Sequence, residues 1–297
     1  MRSPNAANCT PRAPAGVTRH HGDVPQATVD ALNDLVDLVR GGRVVALTGA
    51  GLSTDSGIPD YRGPDAPARQ PMTYQEFVTG LDAQRRYWAR AHLGWARMGT
   101  ARPNDGHLAL ARLERMGVLA GLITQNVDGL HARAGSREAV DLHGRIHDVV
   151  CLGCRRVSSR RALQATLDRL NPGWTEQTVI VRPDGDADLD HTGSYVLPAC
   201  PSCGGPLKPD VVFFGENVPK DRVARCTAMV AGAGVLLVAG SSLTVMSGLR
   251  FVRQAHKAGT PVVLVNRGPT RGDDLVDVKV DAGCSETLRA LTDGLHG

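Results

Sequence analysis

Three features of this 297-residue chain predict a doubly wound parallel α/β sheet that carries a small inserted domain. The first is a set of strand candidates that are apolar throughout, at 44–47, 121–123, 140–142, 211–213, Val235–Ala239, Val262–Val265 and 276–280, with helical stretches between them. Strands that are apolar on both faces need cover on both faces, which crossover helices give to a parallel sheet. The second is a Gly49-Ala50-Gly51 turn that follows the first strand without a gap. The third is a break in the apolar rhythm between two Cys-x-x-Cys pairs, where residues 171–173, 183–190 and 191–193 are polar and turn-forming. A sheet core has no room for such a stretch. It therefore predicts a small domain over 151–208, inserted into a main domain made of 27–150 and 209–297.

Taken in order, residues 1–26 are rich in Pro, Ala, Asn and Arg with little periodicity, and are expected to form a disordered leader. A transit peptide is the competing reading, against which Asp23 and the prolines weigh. Ala31, Leu32, Leu35, Val36, Leu38 and Val39 recur at helical spacing and stop at Gly41-Gly42, where a left-handed C-cap is easily adopted. Strand 44–47 follows, and further helices are expected at 84–97, 107–116, 221–231, 248–258 and 286–295. The net charge of +4 is small and the two signs are interspersed, so nucleic acid is not an expected partner. No apolar run approaches the ~20 residues that span a bilayer, and the N-terminus lacks the apolar region of a signal peptide. The expected setting is cytoplasmic, with no membrane partner, and a monomer is compatible with everything in the sequence.

The glycine turn lets backbone N–H groups approach a pyrophosphate and makes the expected sheet Rossmann-like. The usual fingerprint has a third glycine three residues after the second, and Thr54 stands there instead. Gly57, Pro59 and polar residues follow, which describes a long loop rather than an immediate helix. Alone the turn is weak, because a Gly-x-Gly often only closes a tight connection.

Cys151-Leu-Gly-Cys154 and Cys200-Pro-Ser-Cys203 each put two thiolates on one tight knuckle. Two such knuckles give the closed four-sulfur shell of a structural zinc ion. The competing readings are four cysteines that hold no metal and a redox pair. Neither Cys-x-x-Cys opens a helix directly after a strand, as a thioredoxin-like thiolate does.

Three more segments end strand candidates: Thr124-Gln125-Asn126-Val127-Asp128-Gly129-Leu130-His131, His143-Gly144 and Gly240-Ser241-Ser242-Leu243. With the run from Thr48 to Gly63, and in this order, they resemble the sirtuins, the NAD-dependent protein-lysine deacylases, over about residues 28–295. The resemblance implies NAD as co-substrate, an acyl-lysine protein or peptide as partner, and one structural Zn²⁺ on Cys151, Cys154, Cys200 and Cys203. It implies His143 as general base, with Asn126 beside it. NAD contacts are implied for Gly49, Ala50, Gly51, Ser53, Ile58, Asp60, Tyr61, Arg62, Gln125, Asn126, Val127, Asp128, Gly240, Ser241, Ser242, Asn266, Arg267, Gly268 and Cys284. Substrate contacts are implied for Val212, Phe214, Gly215, Glu216, Thr244 and Val245, an extended peptide pairing between 208–216 and 244–247.

The residue chemistry agrees with those roles. A histidine titrating near neutrality can take a proton from a ribose hydroxyl, and Gly144 leaves room beside it. Gln125 and Asn126 can both donate and accept, Asp128 can accept from a carboxamide, and Arg62 brings a fixed cation to the end of the loop. Asn266 replaces the acidic ribose ligand of an ordinary dinucleotide fold. Cys284 is read as a packing contact at a helix start. In the implied reaction the acyl oxygen attacks C1′ of the nicotinamide ribose as nicotinamide leaves. His143 then activates a ribose hydroxyl, and water releases lysine and O-acyl-ADP-ribose.

Pro59-Asp60-Tyr61-Arg62, Gly268-Pro269-Thr270-Arg271 with Asp273-Asp274, and Ser247-Gly248 are similar to the class II branch, which implies longer acyl groups beside acetyl. Residues 74–87 hold no Tyr-x-x-Arg pair of the kind that selects acidic acyl groups in another branch, so uncharged groups are expected. Protein ADP-ribosyl transfer from the same NAD site is the alternative function, and a non-catalytic NAD-sensing scaffold is a third.

Overall fold

The computed structural model describes residues 26–61, 71–176 and 192–295. The leader up to residue 25, Arg62 and the turn-rich stretch 183–190 lie outside the described residues. The chain runs α1 (Gln26–Arg40), β1 (Val44–Thr48), α2 (Tyr74–Phe77), α3 (Leu81–Thr100), α4 (Asp105–Arg115), β2 (Leu119–Thr124), α5 (Leu130–Ala134), β3 (Ala139–Asp141) and β4 (Gly144–Cys151). It continues through β5 (Val157–Ser159), α6 (Arg160–Leu170), β6 (Leu207–Val211), α7 (Lys220–Ala231), β7 (Val235–Ala239), α8 (Met246–Lys257), β8 (Val262–Val265), β9 (Val278–Val280) and α9 (Cys284–Gly294). Among the described residues no helix is long and apolar enough to cross a membrane.

Six strands form one parallel sheet in the order β3-β2-β1-β7-β8-β9. The chain winds outward from β1 in one direction through β2 and β3, and in the other through β7, β8 and β9. Thr48 stands level with Thr124 of β2 and Ala239 of β7, so three strand ends open onto one edge. Connections diverge between β1 and β7, the place where open α/β sheets bind ligands. The two outermost strands, β3 and β9, have three residues each.

The central strand shows why this sheet needs two covers. Val44 and Ala46 pack with Leu35, Leu110 and Leu288 of α1, α4 and α9. Val45 and Leu47 pack with Val230, Leu249 and Val252 of α7 and α8 on the other face. Every residue of β1 is buried, and burying one leucine such as Leu47 stabilises by roughly 2 kcal/mol. Helix α1 stops before Gly42, whose φ of +73° is the left-handed turn that the Gly41-Gly42 pair predicts.

A second, antiparallel sheet has the order β5-β4-β6. It corrects one sequence expectation. The apolar run 211–213 does not enter the parallel sheet; the strand is β6, which ends at Val211 and pairs with β4. A short apolar run does not encode its partner, and Pro209, without an N–H, is tolerated on the edge strand that β6 forms. Phe213 turns inward instead, with ring centroids 5.4 Å from Phe77 and 5.1 Å from Tyr87.

This sheet has its own core, built from Val149, Leu163, Leu167, Leu207 and Phe213 together with Phe77, Tyr87 and Trp88 of α2 and α3. Helix α6 covers it, although the segment reads as turn-rich. The tie to α3 is also polar: Trp88 Nε1 donates to Leu207 O at 2.8 Å. Arg160 is buried 4.8 Å from the Trp95 ring centre and donates to Ala91 O at 3.0 Å.

The tightest backbone contact of the parallel sheet lies at Gly240. Its φ is +65°, and a Cβ there would stand 2.2 Å from the Leu52 nitrogen. Gly240→Ala is therefore expected to cost roughly 2 kcal/mol or more, from left-handed strain plus collision with backbone. Gly259→Ala has a similar φ of +69° with nothing within 4 Å, and should cost about 1 kcal/mol from strain alone. Urea unfolding midpoints compare the two; equal losses would show that the contact at Gly240 contributes nothing.

Candidate active site

The loop after β1 forms two short 3-10 turns, Ala50–Leu52 and Thr54–Ser56, and no α-helix, as Thr54 in place of the third glycine predicts. Its apolar side chains anchor it. Leu52 is buried under the sheet edge, and Ile58 packs with Met98, Leu130 and Ile146. The loop lies directly on the one after β7: Gly51 N donates to Gly240 O at 2.8 Å, and a Cβ on Gly49 would meet Gly240 O at 2.7 Å. Tyr61 at its far end sets its ring against Phe214, centroids 6.0 Å apart.

Ser53 gathers the polar groups beneath this loop. Its hydroxyl donates to Asp128 Oδ2 at 2.7 Å and accepts from Asn126 Nδ2 at 3.0 Å. Asn126 Nδ2 also donates to Gly49 O at 3.0 Å, and Asp128 Oδ1 accepts from Leu130 N at 2.8 Å. Burial raises the Asp128 carboxyl above its ordinary value against these hydrogen bonds. Val127 carries its part through backbone, accepting from Ile146 N at 2.9 Å.

Behind Ser53 lie two buried histidines that the sequence reading did not connect. His107 Nδ1 is 2.9 Å from Asn104 Oδ1, the N-cap of α4, and its Nε2 is 3.5 Å from Ser53 Oγ. His131 Nε2 is 2.9 Å from Thr48 Oγ1, and the two imidazoles lie 4.8 Å apart. Burial lowers His107 to about 4 and holds His131 well below the usual histidine range. His131 closes the segment 124–131 singled out in the sequence, whereas the signal for His107 was Asn104-Asp-Gly-His107 ahead of an apolar helix, which reads as an ordinary helix start.

His143 sits between β3 and β4. Its Nδ1 lies 2.9 Å from Gln125 O, and because a carbonyl only accepts, Nδ1 carries the hydrogen. Nε2 is then the bare nitrogen, and it accepts from Ser247 Oγ at 2.8 Å. Burial lowers the ring's affinity for a proton, Arg222 lowers it further, and the Gln125 bond opposes both. Gln125 continues the chain, its Nε2 donating to Ser241 Oγ at 2.9 Å. Ser242 Oγ is 3.1 Å from Thr244 Oγ1.

The residues after β8 lie along the same edge. Asn266 Nδ2 donates to Arg267 O at 2.8 Å, Arg267 faces Glu286 at 3.5 Å, and Gly268 N donates to Asp281 Oδ1 at 2.9 Å. Cys284 opens α9 as expected. Burial pushes its thiol up to about 12, which makes it a packing group and not a nucleophile.

Beyond His143 the chain 212–216 crosses the site. Val212 N donates to His143 O at 2.8 Å, Phe214 is exposed, and Gly215 O accepts from Gln75 Nε2 at 2.9 Å. Glu216 differs from the others. Its carboxylate accepts from Phe213 N and pairs with buried Lys208, both at 2.9 Å, so its side chain fastens the loop from within. Thr244 and Val245 are exposed, with Thr244 O accepting from Arg271 Nη1 at 3.0 Å. Tyr87 and Arg90 make a Tyr-x-x-Arg pair at the border of the window 74–87, and Tyr87 is buried beside Phe213.

The four paired cysteines converge. All four Sγ atoms lie within 4.8 Å of one another, with Cys151 and Cys203 at 3.4 Å and Cys154 and Cys200 at 3.8 Å. A tetrahedron of Zn–S bonds of ~2.3 Å has S–S edges of ~3.8 Å, so the donor set fits zinc in number, type and spacing.

A doubly wound sheet with a glycine-lined switch point, a neutral histidine at its carboxyl edge and a four-cysteine knuckle pair defines a nucleotide-dependent enzyme with a structural metal module. A model of the Sir2 family matches residues 49–247, and the chain belongs to that family. The NAD-dependent protein deacetylase 1 of Mycobacterium avium is 53% identical, covering 88% of this chain and 95% of that protein. Its namesake in Streptomyces coelicolor is also 53% identical, covering 92% of each. A solved Sir2 structure with p53 peptide and NAD+ aligns with a TM-score of 0.72 at 30% identity, covering 88% of this chain and 97% of that one.

The buried histidines make stability depend on pH. In the unfolded chain histidine binds a proton near 6.5, whereas folded His107 does so only near 4. As pH falls the unfolded state is protonated first, so this stability is present above 6.5 and is lost between 6.5 and about 4. His107 accounts for up to roughly 3 kcal/mol of that loss. Tm measured from pH 7 to 4 should fall less steeply in His107→Gln than in the wild type, and parallel curves would contradict the assignment.

Proposed function

We infer that this protein is an NAD-dependent protein-lysine deacylase of the class II branch, acting on acetyl-lysine and longer acyl-lysines in proteins or peptides. The observation that carries this reading is His143, held as the Nε2-accepting tautomer by Gln125 O at the edge where the Asn126, Ser53 and Asp128 cluster opens. The deacetylase relatives and the peptide-bound and NAD-bound structural neighbour support it.

NAD, when bound, supplies a ribose carbon that becomes electrophilic as nicotinamide departs. The chain provides the rest. Gly49, Ala50 and Gly51 with Gly240, Ser241 and Ser242 line the path of a diphosphate along the switch point. Asp128 and Asn126 face the nicotinamide ribose and carboxamide; each Asp128 oxygen bears one hydrogen bond and keeps a lone pair for another. Ile58, Asp60 and Tyr61 close the loop over the sugar, Arg62 supplies a cation to the cofactor, and Asn266, Arg267, Gly268 and the start of α9 at Cys284 take the adenosine end. His143 Nε2 takes a proton from a ribose hydroxyl. Peptide backbone lies between Val212, Phe214 and Gly215 on one side and Thr244 and Val245 on the other.

Cys151, Cys154, Cys200 and Cys203 would hold Zn²⁺ in a closed shell, which contributes to folding and leaves no position for substrate. With this assignment goes a division into an NAD-binding part, 27–150 and 209–297, and a zinc-binding part, 151–208. A cytoplasmic setting completes the reading.

Incubation with NAD and acetyl-, butyryl-, octanoyl- and succinyl-lysine peptides, followed by mass spectrometry, should yield nicotinamide, free lysine and O-acyl-ADP-ribose. A peptide gaining the mass of ADP-ribose would favour transfer instead. His143→Ala should still bind NAD and lose at least roughly 100-fold in kcat/KM. Turnover near the wild-type rate in that variant would remove His143 from the reaction.

Cys200→Ser breaks the closed shell without touching the sheet edge. It should lower both Tm and zinc content, because the binding energy of such a site is folding energy. Elemental analysis finding no stoichiometric zinc in the wild-type protein would overturn the metal assignment.

A further inference from the structure

We propose that Ser247 is a positioning residue for His143: its hydroxyl holds the imidazole correctly turned and yields Nε2 to the ribose hydroxyl during turnover. The proposal rests on the reading of His143 as the base.

The geometry is a clamp on both ring nitrogens. Nδ1 donates to Gln125 O at 2.9 Å and Nε2 accepts from Ser247 Oγ at 2.8 Å. The two partners are themselves locked together. Ser247 lies in the first turn of α8, whose start is fixed by Gly248 N and Leu249 N donating to Val245 O, both at 3.2 Å. Gly248 presses on Gln125 so closely that a Cβ there would meet its Oε1 at 2.5 Å. The ring is therefore gripped by one assembly of β2 end and α8 start, and it can neither flip nor change tautomer without breaking a bond.

The chemistry gives the clamp a direction. A neutral imidazole has a single lone pair, at Nε2 here, so Ser247 and a sugar hydroxyl compete for it. A serine hydroxyl can turn about χ1 at little cost, so it can give way while the ring stays where Gln125 holds it. Ser247 Oγ can donate to bare Nε2 or accept from the Nε2–H of an imidazolium, so the bond fixes the plane of the ring in either protonation state. The charged groups facing His143 keep the ring neutral: Arg222 of α7, paired with Asp210 of β6 at 3.0 Å, and the positive end of the α8 helix dipole disfavour a proton, while the carbonyl of Gln125 after β2 opposes them.

The test is a titration of His143 by ¹³Cε1-histidine NMR on the full-length, zinc-loaded protein without NAD, with the resonance assigned by its loss in His143→Ala. Ser247→Ala should shift the midpoint by roughly 0.5 to 1 pH unit, because the bond to the neutral ring and the bond to the charged ring differ in strength, and Ser247→Thr, which keeps the hydroxyl, should titrate with the wild type. In the pH profile of kcat/KM, the acid limb of Ser247→Ala should shift in the same direction by the same amount and that of Ser247→Thr should not. An unmoved midpoint in Ser247→Ala, or equal shifts in both variants, would overturn the proposal. If the NMR shift appears while His143→Ala remains fully active, the clamp stands and the role of His143 as base is what fails.

Discussion

The contact between Gly49-Ala50-Gly51 and Gly240-Ser241 sets the geometry of everything above it. Two loops from neighbouring strands meet backbone to backbone, with no space for a side chain at Gly49 or Gly240. That approach brings Ser241 within hydrogen-bond reach of Gln125, and Gln125 in turn fixes His143 through its carbonyl. A crevice that could be merely a gap between diverging connections becomes a surface of ordered backbone with a base at one end. The same contact seats Leu52 in the core, so a loop meant for ligand is also a piece of the hydrophobic interior.

A second constraint acts on the polar floor of the site. Ser53, Asn126, Asp128, Thr48, His107 and His131 are all buried, with Ser53 bonded to Asn126 and Asp128, and Thr48 to His131. Such a network is stable only while each member keeps its protonation state, because an added charge there has no solvent to receive it. Rigidity and acid sensitivity are thus two results of one arrangement.

Much of this was legible in the chain. Strands β7 and β8 begin and end where their apolar runs do, since a buried parallel strand has to be apolar at every residue. The cysteine pairs and His143 were visible because their chemistry tolerates few substitutes. Three things were not. The run 211–213 gives its hydrophobicity but not its partner, so it reads as a strand of the parallel sheet although β6 pairs with β4. Glu216 reads as a substrate contact, and nothing in the sequence shows that its carboxylate pairs with Lys208 buried beneath it. His107 and Ser247 are separated in sequence from what they touch by 54 and 104 residues, and no local pattern reports such a pairing.

The three-residue lengths of β3 and β9 have a consequence beyond topology. A parallel sheet of six strands has two lateral borders, and each border is a row of backbone donors and acceptors that could recruit a strand from another molecule. Here each row is short and carries a charged residue, Asp141 on one side and Lys279 on the other. Among the described residues the sheet thus ends on both sides in a short, charged border, a poor template for edge-to-edge growth.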